Sequence, residues 1–349
     1  MPQSDLRGCS HPLLLGADVM MPAPDAIRSF ATEIGRHLTE TLFIINPVAA
    51  RGTTLRRWVE ARPRLLARGI ELSEHMTTQE GEAMQVTREA INRGIARVVA
   101  AGGDGTLNEV VNGYLDESGR ALNPEAILGL FPSGTGSDFR RSLGIRTVTD
   151  SIEALVGTLT RHVDAMRIVF RGSDGAELTR FGVNVASFGL GGETVAQVNR
   201  WRETLPSWIG GRTRFIAAAV SALSRHRSVP IRIQLDCEHE VAVASNLIVV
   251  ANGRYAGGGM MLAPHAELND GLLDVIITDG LTRFDIIKEL RRIGRGGHLK
   301  NPKVSETCAG EVSIYAAEPL PIDIDGEMRG VTPARLTVLP SVLKFLVVS

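Results

Sequence analysis

Between residues 42 and 131, short apolar runs alternate with segments whose apolar residues recur at helical spacing. Leu42-Phe43-Ile44-Ile45, stopped by Asn46-Pro47, reads as a buried strand feeding a loop. Leu55, Trp58 and Val59 then mark a helix face that Pro63 either kinks or interrupts, and Ile70 and Leu72 alternate like a strand. Ala83, Val86, Ala90 and Ile91 recur as on a helix, and Ile95 to Ala101 is a second apolar strand. Leu107, Val110, Val111 and Tyr114 share a further helix face, before the strand Ile127 to Phe131 ends at Pro132. Such alternation leaves little choice but a parallel sheet wound with helices on both faces.

After about Val163 the pattern changes. Ala165 to Phe170, Phe181 to Val185, Ile231 to Leu235, Val241 to Ala251, Leu273 to Ile277, Val312 to Ala316, Ile322 to Ile324 and Leu336 to Leu339 are β-like runs, few of them separated by helices of comparable length. A largely antiparallel second domain follows, interrupted by helical stretches at Arg214 to Leu223 and Phe284 to Ile293. The expected organisation is an extension over 1–40, an α/β domain over 41–163 and a β domain over 164–336, with 337–349 returning to the first domain. A chain of 349 residues accommodates two domains with sizeable cores.

The formal charge of −1 supplies no global field to recruit nucleic acid, which is not expected as a partner. Cys9, Cys237 and Cys308 show neither disulfide nor zinc spacing, which fits a reducing cytoplasm. No run approaches the roughly 18 to 20 apolar residues that a spanning helix needs.

Chemistry concentrates at Gly102-Gly103-Asp104-Gly105-Thr106-Leu107-Asn108-Glu109, between an apolar strand and an amphipathic helix. Glycines let backbone N–H groups approach an anion closely, and the helix start adds unpaired donors and the positive end of its dipole. On that reading Asp104 lies inside a phosphate-binding loop, where a carboxylate needs a cation between itself and the phosphates. The same residues also read as a tight turn in which Thr106 or Asp104 caps the helix. A second glycine-rich turn, Pro132-Ser133-Gly134-Thr135-Gly136-Ser137-Asp138, ends the next strand on the same carboxyl edge, where parallel sheets bind ligands. Two such turns favour a nucleotide. Neither matches the P-loop or the dinucleotide fingerprint, which disfavours a Walker ATPase and a Rossmann dehydrogenase.

These turns, with Asn46-Pro47 upstream and Phe139 downstream, resemble the catalytic domain of the diacylglycerol kinase family, in particular the bacterial lipid kinases related to sphingosine and ceramide kinases. The resemblance continues through Asn184 to Gly189, Asn252-Gly253, Leu268 to Asp274 and Asp325-Gly326-Glu327, and so covers Leu42 to the C-terminus. It implies a phosphofructokinase-like, nucleotide-binding α/β domain plus a C-terminal β-sandwich, with the active site in the cleft. ATP contacts are then expected at Asn46, Pro47, Thr77, Gly102, Gly103, Asp104, Gly105, Thr106, Leu107, Asn108 and Thr135. In the first loop Ala50 stands where relatives usually have glycine, with Gly52 two places on.

By composition Asp325-Gly326-Glu327 is only a hairpin signal. The resemblance makes Glu327 the general base that takes the lipid hydroxyl proton, and Asp325, with Asp104, a catalytic partner for Mg²⁺. Leu268 to Asp274 reads as a plain turn held by Asn269 and Asp270 side chains. The resemblance places a structural Mg²⁺ there, with Glu267, Asp270 and Leu272 as ligands. Trp201, Trp208, Ile209, Phe215 and the following helix, flanked by Arg200, Arg202, Arg212, Arg214 and Arg225, suit either an amphipathic lid on the bilayer or core packing with a basic rim.

The expected activity is transfer of the γ-phosphoryl group of MgATP to a membrane lipid hydroxyl, with diacylglycerol as the leading acceptor. Sphingoid, phosphatidylglycerol or other long-chain acceptors are alternatives, as are an NAD kinase, which shares the Gly-Gly-Asp turn, and a non-catalytic regulator. The protein is expected in the cytoplasm, peripheral to the membrane, touching its surface transiently to reach a lipid substrate; a homodimer is left open.

Overall fold

A computed structural model describes residues 40–132, 137–201, 210–223, 228–237, 239–245 and 247–348. The first half runs β1 (Thr41–Ile45), α1 (Thr53–Ala67), β2 (Leu72–Met76), α2 (Glu82–Asn92), β3 (Arg97–Gly102), α3 (Asp104–Tyr114), β4 (Ile127–Pro132), α4 (Phe139–Ser142) and α5 (Val148–Val156). Its strands are parallel in the order β2-β1-β3-β4.

Side chains alternate across a strand, so one apolar run serves two cores. Leu42 and Ile44 pack with α2 and α3 residues on one face, while Phe43 and Ile45 join Trp58, Leu65 and Phe131 on the other. The fully buried Trp58 ring lies 4.4 Å from Phe43 and meets Phe131 edge-on at 5.6 Å, centroid to centroid. Helix α1 continues through Pro63, which faces solvent, so the missing N–H falls on the wet side of the helix. Its buried stripe is Trp58, Ala61 and Leu65; Val59, read as part of that stripe, is 63% exposed.

The second half comprises β5 (Thr160–Arg171), β6 (Glu177–Gly182), β7 (Val185–Gly189), α6 (Leu190–Arg200), α7 (Gly211–Leu223), β8 (Val229–Leu235), β9 (His239–Ser245), β10 (Leu247–Ala251), β11 (Tyr255–Ala256), β12 (Met260–Met261), β13 (Leu273–Thr278), α8 (Arg283–Arg292), β14 (Val304–Ala309), β15 (Glu311–Ala316), β16 (Pro321–Ile324) and β17 (Glu327–Leu346). Two antiparallel layers, β9-β8-β15-β17-β5-β6 and β14-β13-β10-β7-β16, enclose a core that includes Phe170, Phe188, Ile233, Val275 and Leu336. The outer face of the second layer is covered by α6, α7 and α8, whose Leu190, Ala222 and Ile286 pack with Val249 and Ile276.

Several elements depart from the apolar pattern. Val241 to Ala251 is two strands, Phe181 to Val185 straddles the break between β6 and β7, and β14 carries too few apolar residues to stand out. Helix α6 has no clear apolar periodicity in the sequence, because Gly191 and Gly192 sit in its first turn and two of its buried residues, Thr194 and Gln197, are polar. Strand β17 pairs with β5 up to Leu346, and its Phe345 pairs in parallel with Leu128 of β4. The last strand thus belongs to both halves of the molecule.

Candidate active site

The two glycine turns are tied to each other. Helix α3 starts at Asp104, whose Oδ2 accepts the Asp138 N–H at 3.1 Å, and the Ser137 hydroxyl donates to the Gly102 carbonyl at 3.0 Å. A Cβ at Gly102 would overlap the Thr106 side chain, so the chain reverses there only without one. Thr135 lies outside the described residues.

Asp325 and Gly326 form the two-residue loop between β16 and β17, with φ of 51° and 89°. Positive φ at both central residues is the mark of a type I′ hairpin. The Asp325 carboxylate accepts four N–H bonds: from Asn108 Nδ2 and Val183 at 2.9 Å, and from Asn184 and Val185 at 3.0 Å. It therefore fastens the sandwich to α3. These donors occupy the acceptor directions that an open metal ligand would need, a placement different from the expected Mg²⁺ role. Two residues on, Glu327 reaches the start of α3: a Cβ on Gly105 would collide with its Oε1 and lie 3.3 Å from its Cδ. Glu327 pairs with Arg329, which reaches Glu80 at 3.2 Å. Asp104, Asp325 and Glu327 thus meet around one helix terminus.

Beside them opens a cavity of about 270 Å³. Asp104, Asp138, Asp323 and Asp325 border it together with a larger set of aliphatic residues. Burial, with the Asp138 and Asp325 carboxylates nearby, holds the Asp104 carboxyl well above its usual range. Burial likewise raises Asp138, Asp325 and Asp323, the last to about 8. Asp138 Oδ1, Asn184 Oδ1 and Asp323 Oδ1 are buried without a hydrogen-bond partner, although Arg141 Nε stands 3.5 Å from Asp138 Oδ1. Orphaned buried oxygens are uncommon enough to point to a missing partner. Asp138 and Asp323 were not among the expected site residues; Asp138 ends the second glycine-rich turn, and Asp323 lies within the apolar run Ile322 to Ile324, two residues before Asp325.

The remaining expected residues are placed unequally. Asn46 Oδ1 accepts the Ala49 N–H at 3.0 Å, and Pro47 is half-buried beside it. Ala50, Arg51 and Gly52 all adopt left-handed φ, of 50°, 56° and 79°, so the loop takes its path despite the alanine. Such a conformation costs a non-glycine residue about 1–2 kcal/mol. Thr77 is buried, its N–H bonded to the Ile45 carbonyl at 2.9 Å. The Leu107 side chain belongs to the core, and Asn108 directs its amide to Asp325 and to the Phe181 carbonyl. The side chains of these two thus serve as internal ties.

Among the described residues no three His, Cys, Asp or Glu side chains are grouped as metal ligands. Glu267 and Asp270 are exposed, and Asp270 Oδ1 accepts the Leu272 N–H at 3.1 Å. The turn is organised instead by Asp164, which accepts the Gly271 and Ser341 N–H groups at 2.8 and 2.6 Å. Trp208, Ile209, Arg202 and Arg225 lie outside the described residues, while Phe215 on α7 lines the cavity.

Residues 40–168 match the diacylglycerol kinase catalytic domain, and residues 184–347 match the YegS C-terminal NAD kinase beta sandwich-like domain. The protein named "Diacylglycerol kinase" of Mycobacterium tuberculosis is 27% identical over 90% of this chain and 98% of its own length. The protein named "Probable lipid kinase YegS-like" of Xanthomonas oryzae pv. oryzae is 31% identical over 82% of this chain and 89% of its own. The chain belongs to the diacylglycerol kinase and YegS-like lipid kinase family. A crystal structure of a diacylglycerol kinase from Bacillus anthracis str. Sterne, 21% identical, superposes with a TM-score of 0.65 over 88% of this chain and 97% of that one, which supports the shared fold. As a family member the chain is an enzyme of the kinase class, with an α/β catalytic half and a β-sandwich half. No described helix is long and apolar enough to cross a membrane.

Proposed function

We propose that this kinase transfers the γ-phosphoryl group of MgATP to a lipid hydroxyl, with diacylglycerol as the leading acceptor and phosphatidic acid as product. One observation carries the reading: a carboxylate-rich floor under the start of α3 opens directly into a cavity walled by hydrocarbon. Phosphate suits the helix start, and an acyl chain suits the cavity.

The Mg²⁺ of the nucleotide would meet Asp104 and the free oxygen of Asp138. Mg²⁺ is commonly held by one or two carboxylates and completed by phosphates and water, so a site without three grouped protein ligands fits it. Bound there, the ion supplies neutralisation of phosphate charge. Glu327 lies against the Gly102–Thr106 turn, positioned to accept the hydroxyl proton, while Arg329 fixes its carboxylate. Phosphoryl transfer asks mainly for alignment and charge neutralisation, which this arrangement provides. Val220, Phe284 and Ile287 are exposed on α7 and α8, the helices beside the cavity, and supply an apolar contact for the membrane surface from which the lipid enters.

The test is transfer of label from γ-labelled ATP to diacylglycerol in mixed micelles, with the product identified. Glu327→Gln and Asp104→Asn should each lower transfer by about 10²–10⁴-fold while the melting transition is kept. Full activity in both variants would reject the proposal.

A further inference from the structure

A second, smaller hollow adjoins the cavity. Behind the main hollow of about 270 Å³ lies another of about 70 Å³, and Leu190, Leu247, Leu262, Ile286 and Leu290 border both. Beyond the residues they share, the smaller space is bordered by Ile276, Leu281 and Val304, with Thr278, Glu289 and His298 also at its boundary. Each of the three is held by a hydrogen bond: Thr278 Oγ1 donates to the Leu247 carbonyl at 2.7 Å, Glu289 Oε1 accepts from Asn301 at 3.1 Å, and His298 Nε2 meets the Leu262 carbonyl at 3.0 Å, while Glu289 Oε2 and His298 Nδ1 are buried without a partner. Aliphatic side chains make up most of the lining of the compartment, with these three polar residues at its boundary.

Volume sets what can enter. An apolar cavity of about 150 Å³ stays dry and holds the six carbons of benzene, about 25 Å³ per carbon. At that density the main hollow takes about eleven carbons and the compartment about three more. A bilayer lipid with two long chains has more than twice that number.

We infer that the two hollows communicate and admit one aliphatic chain of the acceptor, of about fourteen carbons, and that the smaller one receives its end and sets this length. The hydroxyl-bearing end lies at the carboxylate floor, and a second chain, where the lipid has one, stays outside. Identifying the occupant as the phosphate acceptor rests on the kinase reading above; the capacity of the hollow does not.

The experiment uses the full chain and 1-alkylglycerols with chains from about eight to about eighteen carbons, below their micellar concentrations, displacing 1-anilinonaphthalene-8-sulfonate. Affinity should rise about fourfold per methylene, up to about fourteen carbons, and then stop rising. Val304→Phe places four more carbons at the end wall and should move the break to about eleven carbons, weakening binding of the fourteen-carbon probe at least about tenfold. Leu281→Ala removes three carbons and should move the break to about seventeen. Should Val304→Phe fail to fold, Leu281→Ala carries the test alone. An unbroken rise to eighteen carbons in the unaltered protein, or the same break in every folded variant, overturns the inference. Label transfer from ATP to the same alkylglycerols separates the two claims: a length break without transfer sinks the kinase reading alone, and transfer without a length break sinks this one alone.

Discussion

Gly105→Ala separates stability from catalysis. Gly105 is the second residue of α3 and its φ is not positive, so alanine is sterically acceptable to the backbone and improves helix propensity by up to about 1 kcal/mol. The added methyl nevertheless meets Glu327 Oε1. Against an optimum of about 3.5 Å for non-bonded heavy atoms, the overlap is about 1 Å. The α3 backbone is fixed by Asn108, Leu107 and the tie to Asp138, so it is the Glu327 carboxylate that must retreat, rotating about its own side-chain bonds. A misplacement of about 1 Å costs on the order of 100-fold in turnover, or about 2.7 kcal/mol of transition-state stabilisation. The expected result is a melting temperature equal to or above that of the unaltered protein, with label transfer to diacylglycerol reduced about 100-fold. Glu327→Gln removes the base itself, so adding Gly105→Ala to it should lower transfer by less than about threefold more. Turnover of Gly105→Ala within about threefold of the unaltered protein would refute the placement of Glu327 as the proton acceptor. An undiminished Gly105→Ala penalty in the Glu327→Gln background would assign the effect to the phosphate side of the turn instead.

Two further variants test the carboxylates that border the cavity. Asp325→Asn keeps one acceptor oxygen and turns an NH₂ towards two of the four N–H donors, losing charge-assisted bonds of about 1.5–3 kcal/mol each; relief of the buried charge offsets part of this, so urea midpoints should report a net loss of about 3 kcal/mol. Stability equal to that of the unaltered protein would mean that the hairpin does not fasten the two halves. Asp323 titrates near 8 in the fold against about 4 in an open chain. A raised value contributes stability that is complete below pH 4 and is lost as pH rises towards 8. Asp323→Asn has no such proton to lose, so the two proteins should melt alike at pH 4 and the variant should be the more stable at pH 8, by up to about 5 kcal/mol; the opposite order at pH 8 would contradict the assignment.

Much of the α/β half was legible because its signals are local. The run Phe43 to Ile45 and the turn at Gly102 to Thr106 each report a constraint satisfied within a few residues: alternate burial across a strand, and a reversal that leaves no room for a Cβ. The cavity beside the helix start was not legible, because much of its wall comes from α6 and α8 and from β10. Leu190, Leu247 and Leu290 face one another only after the second layer has formed, and α6 carries the glycines and polar residues that hide a helix. Ala50 marks the limit of reasoning from single positions. Its left-handed φ is disfavoured for alanine alone, yet the Asn46 cap and the bond from Thr54 Oγ1 to the Ala49 carbonyl at 3.0 Å hold the loop on that path.

Asp325 shows where such reading stops for a physical reason. Asp-Gly is a favoured pair for a tight hairpin, and asparagine at the first position would serve that turn equally well. What distinguishes aspartate is the number of donors it can accept without offering any, and those donors sit on Asn108, Val183, Asn184 and Val185, the first of them 217 residues away. Only once they converge does the residue become the joint between α3 and the sandwich. Glu327 is then carried to Gly105 by a turn whose geometry is fixed at Asp325, so the position of the candidate base follows from the clamp. A change that loosens that clamp should therefore lower turnover before it unfolds either half, because alignment at the helix start fails with a displacement far smaller than the one that opens a core.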